Sequence, residues 1–204
     1  MVAWEKNMFD ALPDLPAAQR WRQQPYPAPI VVALIRREEE GVAPRYLLIR
    51  RKGNTYQGQW ALVGGKWDFG ETLDTAVLRE VREETGLLAE FVGLRGVVSE
   101  RVVPPSEALP GAHFLLLVCE LSAPDGVATE QKEGAVAWFT RSEISHLNDT
   151  QAIIPSDYAM IQQFTQTTPQ VVHIEAEMVS AIGGASRYPT ELRRFEQING
   201  RSQP

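Results

Sequence analysis

At 204 residues with 44% apolar side chains, the chain is long enough to bury the core of one full domain with decorated ends. Its formal charge of −6 argues against a broad electrostatic surface for extended nucleic acid or for an anionic membrane, and leaves small anions held through bound cations as the natural charged partners. A single cysteine excludes an internal disulfide, the N-terminus Met1-Val2-Ala3-Trp4-Glu5-Lys6 has no apolar signal segment, and no stretch reaches the roughly 18 apolar residues of a membrane span. Cytoplasmic residence without membrane attachment is the expectation.

Residues 1–28 mix proline, charge and aromatics and read as a lead-in arm with one short helix at 17–22. Trp4, Phe9, Trp21 and Tyr26 give that arm more apolar surface than a free tail needs, which favours packing on the domain or on a second subunit, so a homodimer is among the expectations. Ile30-Val31-Val32-Ala33-Leu34-Ile35 and Tyr46-Leu47-Leu48-Ile49 are continuous apolar runs rich in β-branched residues, and their spacing predicts a hairpin of buried strands. Trp60-Ala61-Leu62-Val63 reads as a third strand closed by Gly64-Gly65. Leu73, Ala76, Val77 and Val81 recur at helical spacing, which predicts a helix over 73–84 with Thr72 at its N-cap and Gly86 beyond its end. Residues 91–99, 113–121 and 135–139 read as strands, with a proline-containing loop at 102–111 and a helix start at Thr140-Arg141-Ser142-Glu143. Cys119, inside the run Leu115-Leu116-Leu117-Val118-Cys119, reads as an inert buried strand residue. A further helix after Pro155, a short strand at 171–174 and a terminal helix at 189–198 complete the reading.

The chemistry concentrates in Gly65-Lys66-Trp67-Asp68-Phe69-Gly70-Glu71 and, after seven residues, Arg79-Glu80-Val81-Arg82-Glu83-Glu84-Thr85-Gly86-Leu87. At about 100° per residue, Glu80, Glu83 and Glu84 fall within an arc of roughly 100° on one helical turn. Three carboxylates so placed repel one another unless a cation lies between them, and Mg²⁺, with Mn²⁺ as the alternative, is a hard ion that takes carboxylate and phosphate oxygens. The paired glycines bring backbone close without side chains, so a carbonyl of Gly64 is within reach of such an ion. Arg79 precedes Glu83 by four residues and also reaches back toward Glu71, which assigns both Arg79 and Glu71 to site architecture. The competing reading is a solvated acidic helix face, common in proteins that bind no metal.

In this order the residues resemble a complete Nudix box over Gly65 to Leu87, and similarity to the surrounding Nudix fold extends over about 28–145. The resemblance implies an α/β fold, an α/β/α sandwich with a mixed β-sheet. The expected organisation is an N-terminal arm at 1–28, a catalytic domain at 29–145 and a helical extension at 146–204 packed on the same domain. The implied activity is Mg²⁺-dependent hydrolysis of a diphosphate linkage in a nucleoside diphosphate joined to another moiety, by water attack at phosphorus. By the same resemblance Gly64, Glu83 and Glu84 are metal ligands, and Glu80 is a ligand or general base. Glu133, or Glu130 three residues before it, supplies a further carboxylate, with Glu133 favoured because it adjoins the strand leading to Trp138. Val63 stands where many relatives carry proline, and Asp68 replaces a frequent glutamate.

For substrate contacts Lys66, Arg50, Arg51 and Arg101 are the cationic candidates for phosphate, and Trp60, Tyr56 or Trp67 the rings for stacking on a base, against the ordinary alternatives of surface charge and core packing. The partner is a small nucleotide-like diphosphate. Signatures associated with coenzyme A and NADH relatives are missing, and ADP-ribose, nucleotide sugars, dinucleoside polyphosphates and noncanonical nucleoside triphosphates stay open. Two other functions remain at this point: a nucleotide-binding or regulatory domain without turnover, and a diphosphate isomerase, which would need a carbon acid/base pair.

Overall fold

The computed structural model describes residues 27–38, 40–53, 56–103, 112–123, 125–165, 171–179 and 191–197. The expected helix at 17–22, the arm aromatics Trp4, Phe9, Trp21 and Tyr26, and the prolines at 104, 105 and 110 lie outside the described residues.

Two apolar faces on one strand set the architecture. In β1 (Ala28–Arg37), Val31, Ala33 and Ile35 pack into one core, while Val32 and Leu34 pack into another. A strand alternates its side chains between faces, so an unbroken apolar run is the pattern of a sheet covered on both sides. β2 (Arg45–Arg51) divides in the same way, with Leu47 and Ile49 on the first side and Tyr46 and Leu48 on the second. The first core is closed by α1 (Leu73–Thr85) through Ala76, Val77 and Val81. The second is closed by α2 (Arg141–Asp149) and α3 (Pro155–Phe164), through Ile144, Met160, Ile161 and Phe164. The result is an α/β/α sandwich around a mixed sheet, as the resemblance implied.

The remaining strands among the described residues are β3 (Trp60–Ala61), β4 (Val63–Lys66), β5 (Glu90–Val103), β6 (Ala112–Ser122), β7 (Gly134–Thr140), β8 (Val172–Val179) and β9 (Glu191–Gln197). The main path runs β3-β2-β1-β6-β5-β8-β9, with β4 paired to β1 and β7 to β2. β1–β6 and β5–β8 are parallel, and the other pairs are antiparallel.

Three expectations change. The hairpin of β1 and β2 survives only at its tip, where Arg36 faces Tyr46 and Arg37 faces Arg45; farther along, β1 pairs with β4 and β6 instead. Gly64 and Gly65 do not close a strand but lie inside β4, opposite Val32 and Val31, so the expected single strand at 60–63 is two strands parted at Leu62. The expected terminal helix at 189–198 is the strand β9, and the extension at 146–204 therefore carries two strands as well as α3. Glu191-Leu192-Arg193-Arg194-Phe195 has helix-forming residues, but the open backbone edge of β8 offers it a ladder from Val179 opposite Glu191 to Ile174 opposite Gln197, and tertiary pairing overrides weak local propensity.

Helix ends follow their capping chemistry. Gly86 takes a left-handed φ of 71° and its N–H donates to the Arg82 carbonyl. Thr140 and Glu143 form a reciprocal capping box at the start of α2. Thr72 has N-cap backbone geometry, yet its hydroxyl turns to Asp74 and Thr75 and caps no helix amide. Among the described residues no helix is long and apolar enough to cross a membrane.

One contact gives a direct test of the packing. β7 starts at Gly134, where an added Cβ would fall far inside van der Waals contact distance of the Arg50 carbonyl oxygen on β2, whereas at Gly53 it would meet nothing within 4 Å. Gly134→Ala is expected to lower stability by about 2 kcal/mol or more and Gly53→Ala by less than about 0.5 kcal/mol, read as urea midpoints at constant slope. Equal midpoints for the two variants would contradict the β2–β7 register.

Candidate active site

β4 is the floor of the site, and its two glycines explain how β1 and the acidic helix both sit so close to it. A Cβ on Gly64 would collide with the Val31 carbonyl, and one on Gly65 would collide with the Glu80 carboxylate. The missing side chain at Gly64 makes room for β1, and the one at Gly65 lets α1 press the Glu80 carboxylate onto strand backbone. The Gly64 N–H donates to Glu84 Oε2 at 3.2 Å, and Glu84 is only 5% exposed.

Arg79 organises the lead-in loop. Its Nε donates to Glu71 Oε1 at 2.7 Å and its Nη2 to Glu71 Oε2 at 2.9 Å, a two-pronged pair. The same guanidinium donates to Glu80 Oε1 at 2.7 Å and to the Lys66 carbonyl at 3.0 Å, and approaches Glu83 Oε2 at 3.5 Å. The hydrogen bonds from Arg79 hold Glu71 below the usual carboxylate range, and the Asp68 N–H adds to this. The i,i+4 contact with Glu83 expected from spacing is thus longer than Arg79's bonds to Glu71, Glu80 and the Lys66 carbonyl, and only the 4.0 Å approach to Asp68 is longer still. Trp67 donates its indole N–H to the Glu71 carbonyl at 3.0 Å and so braces the loop. The next aromatic, Phe69, points fully into solvent.

Burial drives the electrostatics of the helix acids. It pushes Glu84 up to about 8, helped by a hydrogen-bonding contact with the Glu133 carboxyl and by that group's charge, and opposed by the Gly64 amide. Burial also raises Glu80, with Arg79 opposing and Glu83 and Glu133 adding to the rise. Glu133 therefore faces Glu80 and Glu84, while Glu130 pairs with the Lys52 ammonium at an exposed position. The carboxylates are not drawn into a finished cage: among the described residues no three are grouped at metal-binding separation. Glu83 remains largely exposed.

The cationic and aromatic candidates disperse. Arg50 donates its Nε to the Gly58 carbonyl at 3.0 Å, Lys66 is exposed at the end of β4, and Arg101 is exposed on β5 opposite His113. Trp60 sits edge-on to Phe139 with ring centroids 4.8 Å apart, and its backbone binds Ala152 and Ile154, so it works as packing at the start of α3. Arg51 lies elsewhere, near Tyr56 and Asp157. That neighbourhood was missed by sequence reasoning. It joins Glu100 of β5, Ser156 and Asp157 of α3, and Tyr56. The available signals were a charged residue inside the apolar run Val97-Val98-Ser99-Glu100 and an acid just after Pro155.

The site's arrangement has relatives. The sequence profile of the NUDIX domain matches residues 26–163, so the matched region continues past the expected limit of 145 to include α2 and most of α3. An ADP-ribose pyrophosphatase of Methanocaldococcus jannaschii is 37% identical over 109 residues, which are 52% of this chain and 62% of that protein. A nucleoside triphosphatase NudI of Enterobacter is 30% identical over 115 residues, 52% of this chain and 81% of that one. The crystal structure of a MutT protein from Bacillus halodurans superposes with a TM-score of 0.61 at 18% identity, covering 83% of this chain and 97% of that one, a likeness of fold. With the box on β4, the lead-in loop and α1, and the profile spanning the sandwich, the chain belongs to the NUDIX domain family.

Proposed function

We propose that the chain hydrolyses the diphosphate linkage of a nucleoside diphosphate joined to another moiety, water attacking phosphorus, with Mg²⁺ as the metal and Mn²⁺ as its alternative. The observation that carries this reading is Glu84, a carboxyl buried against the Gly64 amide and facing the Glu133 carboxyl. Two acids in that position need a proton or a cation between them, and the all-oxygen donor set suits a hard divalent ion. Glu83, Glu84 and the Gly64 carbonyl would hold it, with Glu80 and Glu133 beside them. When bound, the ion supplies charge neutralisation at phosphate oxygens and a lower pKa for coordinated water.

The chain's own groups divide the remaining work. Arg79 fixes Glu71 and Glu80 together and, through the Lys66 carbonyl, ties the lead-in loop to the end of β4. Glu80, whose carboxyl burial raises above its ordinary value, is suited to take a proton from an attacking water. The name of the Methanocaldococcus jannaschii relative supports ADP-ribose-like substrates as the first class to assay. An isomerase is disfavoured because Cys119, whose thiol burial pushes up to about 12, offers no carbon acid/base partner.

Glu84→Gln, which keeps volume and loses charge, is expected to cut Mg²⁺-dependent turnover roughly a hundredfold with little change in circular dichroism. Wild-type turnover at limiting Mg²⁺ would reject the assignment. Turnover in isotope-labelled water is expected to place the label in a phosphate product; label found only in a carbon fragment would remove attack at phosphorus.

Glu133→Gln is expected to raise the Mg²⁺ concentration for half-maximal rate by roughly tenfold. Glu130→Gln should change it less than about twofold, because an exposed pair with Lys52 contributes little. The reverse ranking would move the extra carboxylate to Glu130.

Glu84 also sets a pH dependence in metal-free protein. Its folded pKa lies above its ordinary value of 4.5, so the folded state holds a proton that the unfolded chain releases. The stabilisation is complete below about pH 4.5 and is lost as pH rises toward about 8. Calorimetric Tm should therefore fall over that window, less steeply in Glu84→Gln, and Mg²⁺ should raise Tm more at about pH 8 than at about pH 5.5. A metal-induced shift independent of pH would count against Glu84 as a ligand.

A further inference from the structure

Glu133 is exposed on the connection between β6 and β7, yet a carboxylate that completes a divalent-ion site has to return to the same place within about 0.5 Å. Over 125–133 that connection has no helix and only one isolated bridge, between Gln131 and Gly134, so its placement comes from what fastens it. Two fastenings are backbone bonds near the acids. The Thr129 N–H donates to the Thr85 carbonyl at 2.9 Å, one residue from Glu84 at the end of α1, and the Lys52 N–H just beyond β2 donates to the Glu133 carbonyl at 3.0 Å. A third is a close approach at Gly126, whose φ is 101° and where an added Cβ would lie 3.2 Å from Leu87 Cδ2.

The fourth fastening is a side chain that the hydrolytic cluster does not use. Arg37, at the end of β1, donates its Nε to the Ala123 carbonyl at 3.1 Å and its Nη2 to the Gly126 carbonyl at 2.8 Å. The same guanidinium lies over the Trp138 ring, 4.1 Å from the centroid. Ala123 and Gly126 begin the connection, and Trp138 sits on β7, the strand it leads into, so one planar cation holds both of its ends. Only a guanidinium suits this arrangement: its fork reaches two acceptors while its face stacks on a ring, and an ammonium has neither fork nor plane.

We propose that Arg37 is a positioning residue of the hydrolytic site, fixing the β6–β7 connection so that Glu133 lies beside Glu84 while itself touching neither substrate nor metal. The inference rests on the hydrolytic reading for the purpose of Glu133, but the fastening is testable without turnover. Its effect is partial by construction. A connection released at Arg37 keeps its far anchor at Lys52, so Glu133 swings about that anchor instead of leaving the site, and metal binding weakens without being abolished.

Calorimetric binding of Mg²⁺ alone, with amide hydrogen exchange in metal-free protein, tests this. In Arg37→Met, which keeps an apolar stem and loses every donor, the Thr129 amide should exchange at least about tenfold faster while the amides of α1 keep wild-type rates. Mg²⁺ should bind about fivefold more weakly, and Arg37→Lys should fall between the two. In the Glu133→Gln background, Arg37→Met should change Mg²⁺ affinity by less than about 1.5-fold, because the charge it places is already gone. A merely stabilising arginine would lower the thermal midpoint and leave the Mg²⁺ affinity of the folded variant unchanged, which overturns the proposal. A loss of affinity that multiplies in full on Glu133→Gln overturns it too, as does wild-type protection of Thr129 in a folded Arg37 variant. If Arg37→Met does not fold, Arg37→Lys decides by the same three readings. Mg²⁺ binding without cleavage of any nucleoside diphosphate derivative would be the failure of the hydrolytic reading alone, since neither binding nor exchange depends on turnover.

Discussion

The structure depends on a single close approach, that of helix α1 to strand β4. A side chain at position 64 would strike the Val31 carbonyl of β1 and one at position 65 would strike the Glu80 carboxylate of α1, so the first glycine keeps the neighbouring strand close and the second keeps the helix close. With glycine at both, the strand still pairs with β1 through Val31 and Val32 while its open side accepts the acids. The same contact buries Glu84 and gives it an amide partner. Stability and chemistry are in tension here, because the acid that the site would need ionised is the one the apo fold prefers neutral.

Around that contact the sheet acts as a partition. α1 on one face carries the box acids and binds the Gly64 amide of β4 through Glu84, while α3 on the other carries Asp157, which binds the amide of Leu62 between β3 and β4. Arg79 performs on the loop what the glycines perform on the strand. It converts a run of like charges into an ordered set, with Glu71 and Glu80 held on one guanidinium.

What was legible in the sequence was local. The box spacing, the stripe of Ala76, Val77 and Val81, and the stop at Gly86 are fixed by residues within one helix of each other, and they appear where expected. The ranking of Glu133 over Glu130 was likewise local, drawn from its place beside β7, whereas the Glu84 carboxyl it lies beside belongs to a helix far earlier in the chain. The illegible parts were non-local. β9 is a strand because β8 leaves an edge open, and nothing within 191–197 records that edge. The Gly64-Gly65 pair looked like a turn because its partner, β1, lies far back in the chain. The grouping of Glu100 with Asp157 joins a central strand to a helix start many residues later, so each looked like an isolated charge.

The parallel pairing of β1 with β6 has a consequence for how the chain acquires this shape. Ala28 lies beside Phe114 and Arg36 beside Ser122, so the central ladder closes only after nearly all of the intervening chain is available. β4 and α1 are nearer to β1 in sequence than β6 is and can meet it earlier, but the second flank of β1 stays open until β6 arrives. Such long-range closure slows folding and leaves an apolar strand edge exposed in the meantime. During synthesis the acidic helix would therefore dock on a sheet still missing half its neighbours, and the vulnerable interval for aggregation ends when Val118 and Leu121 are delivered to the core.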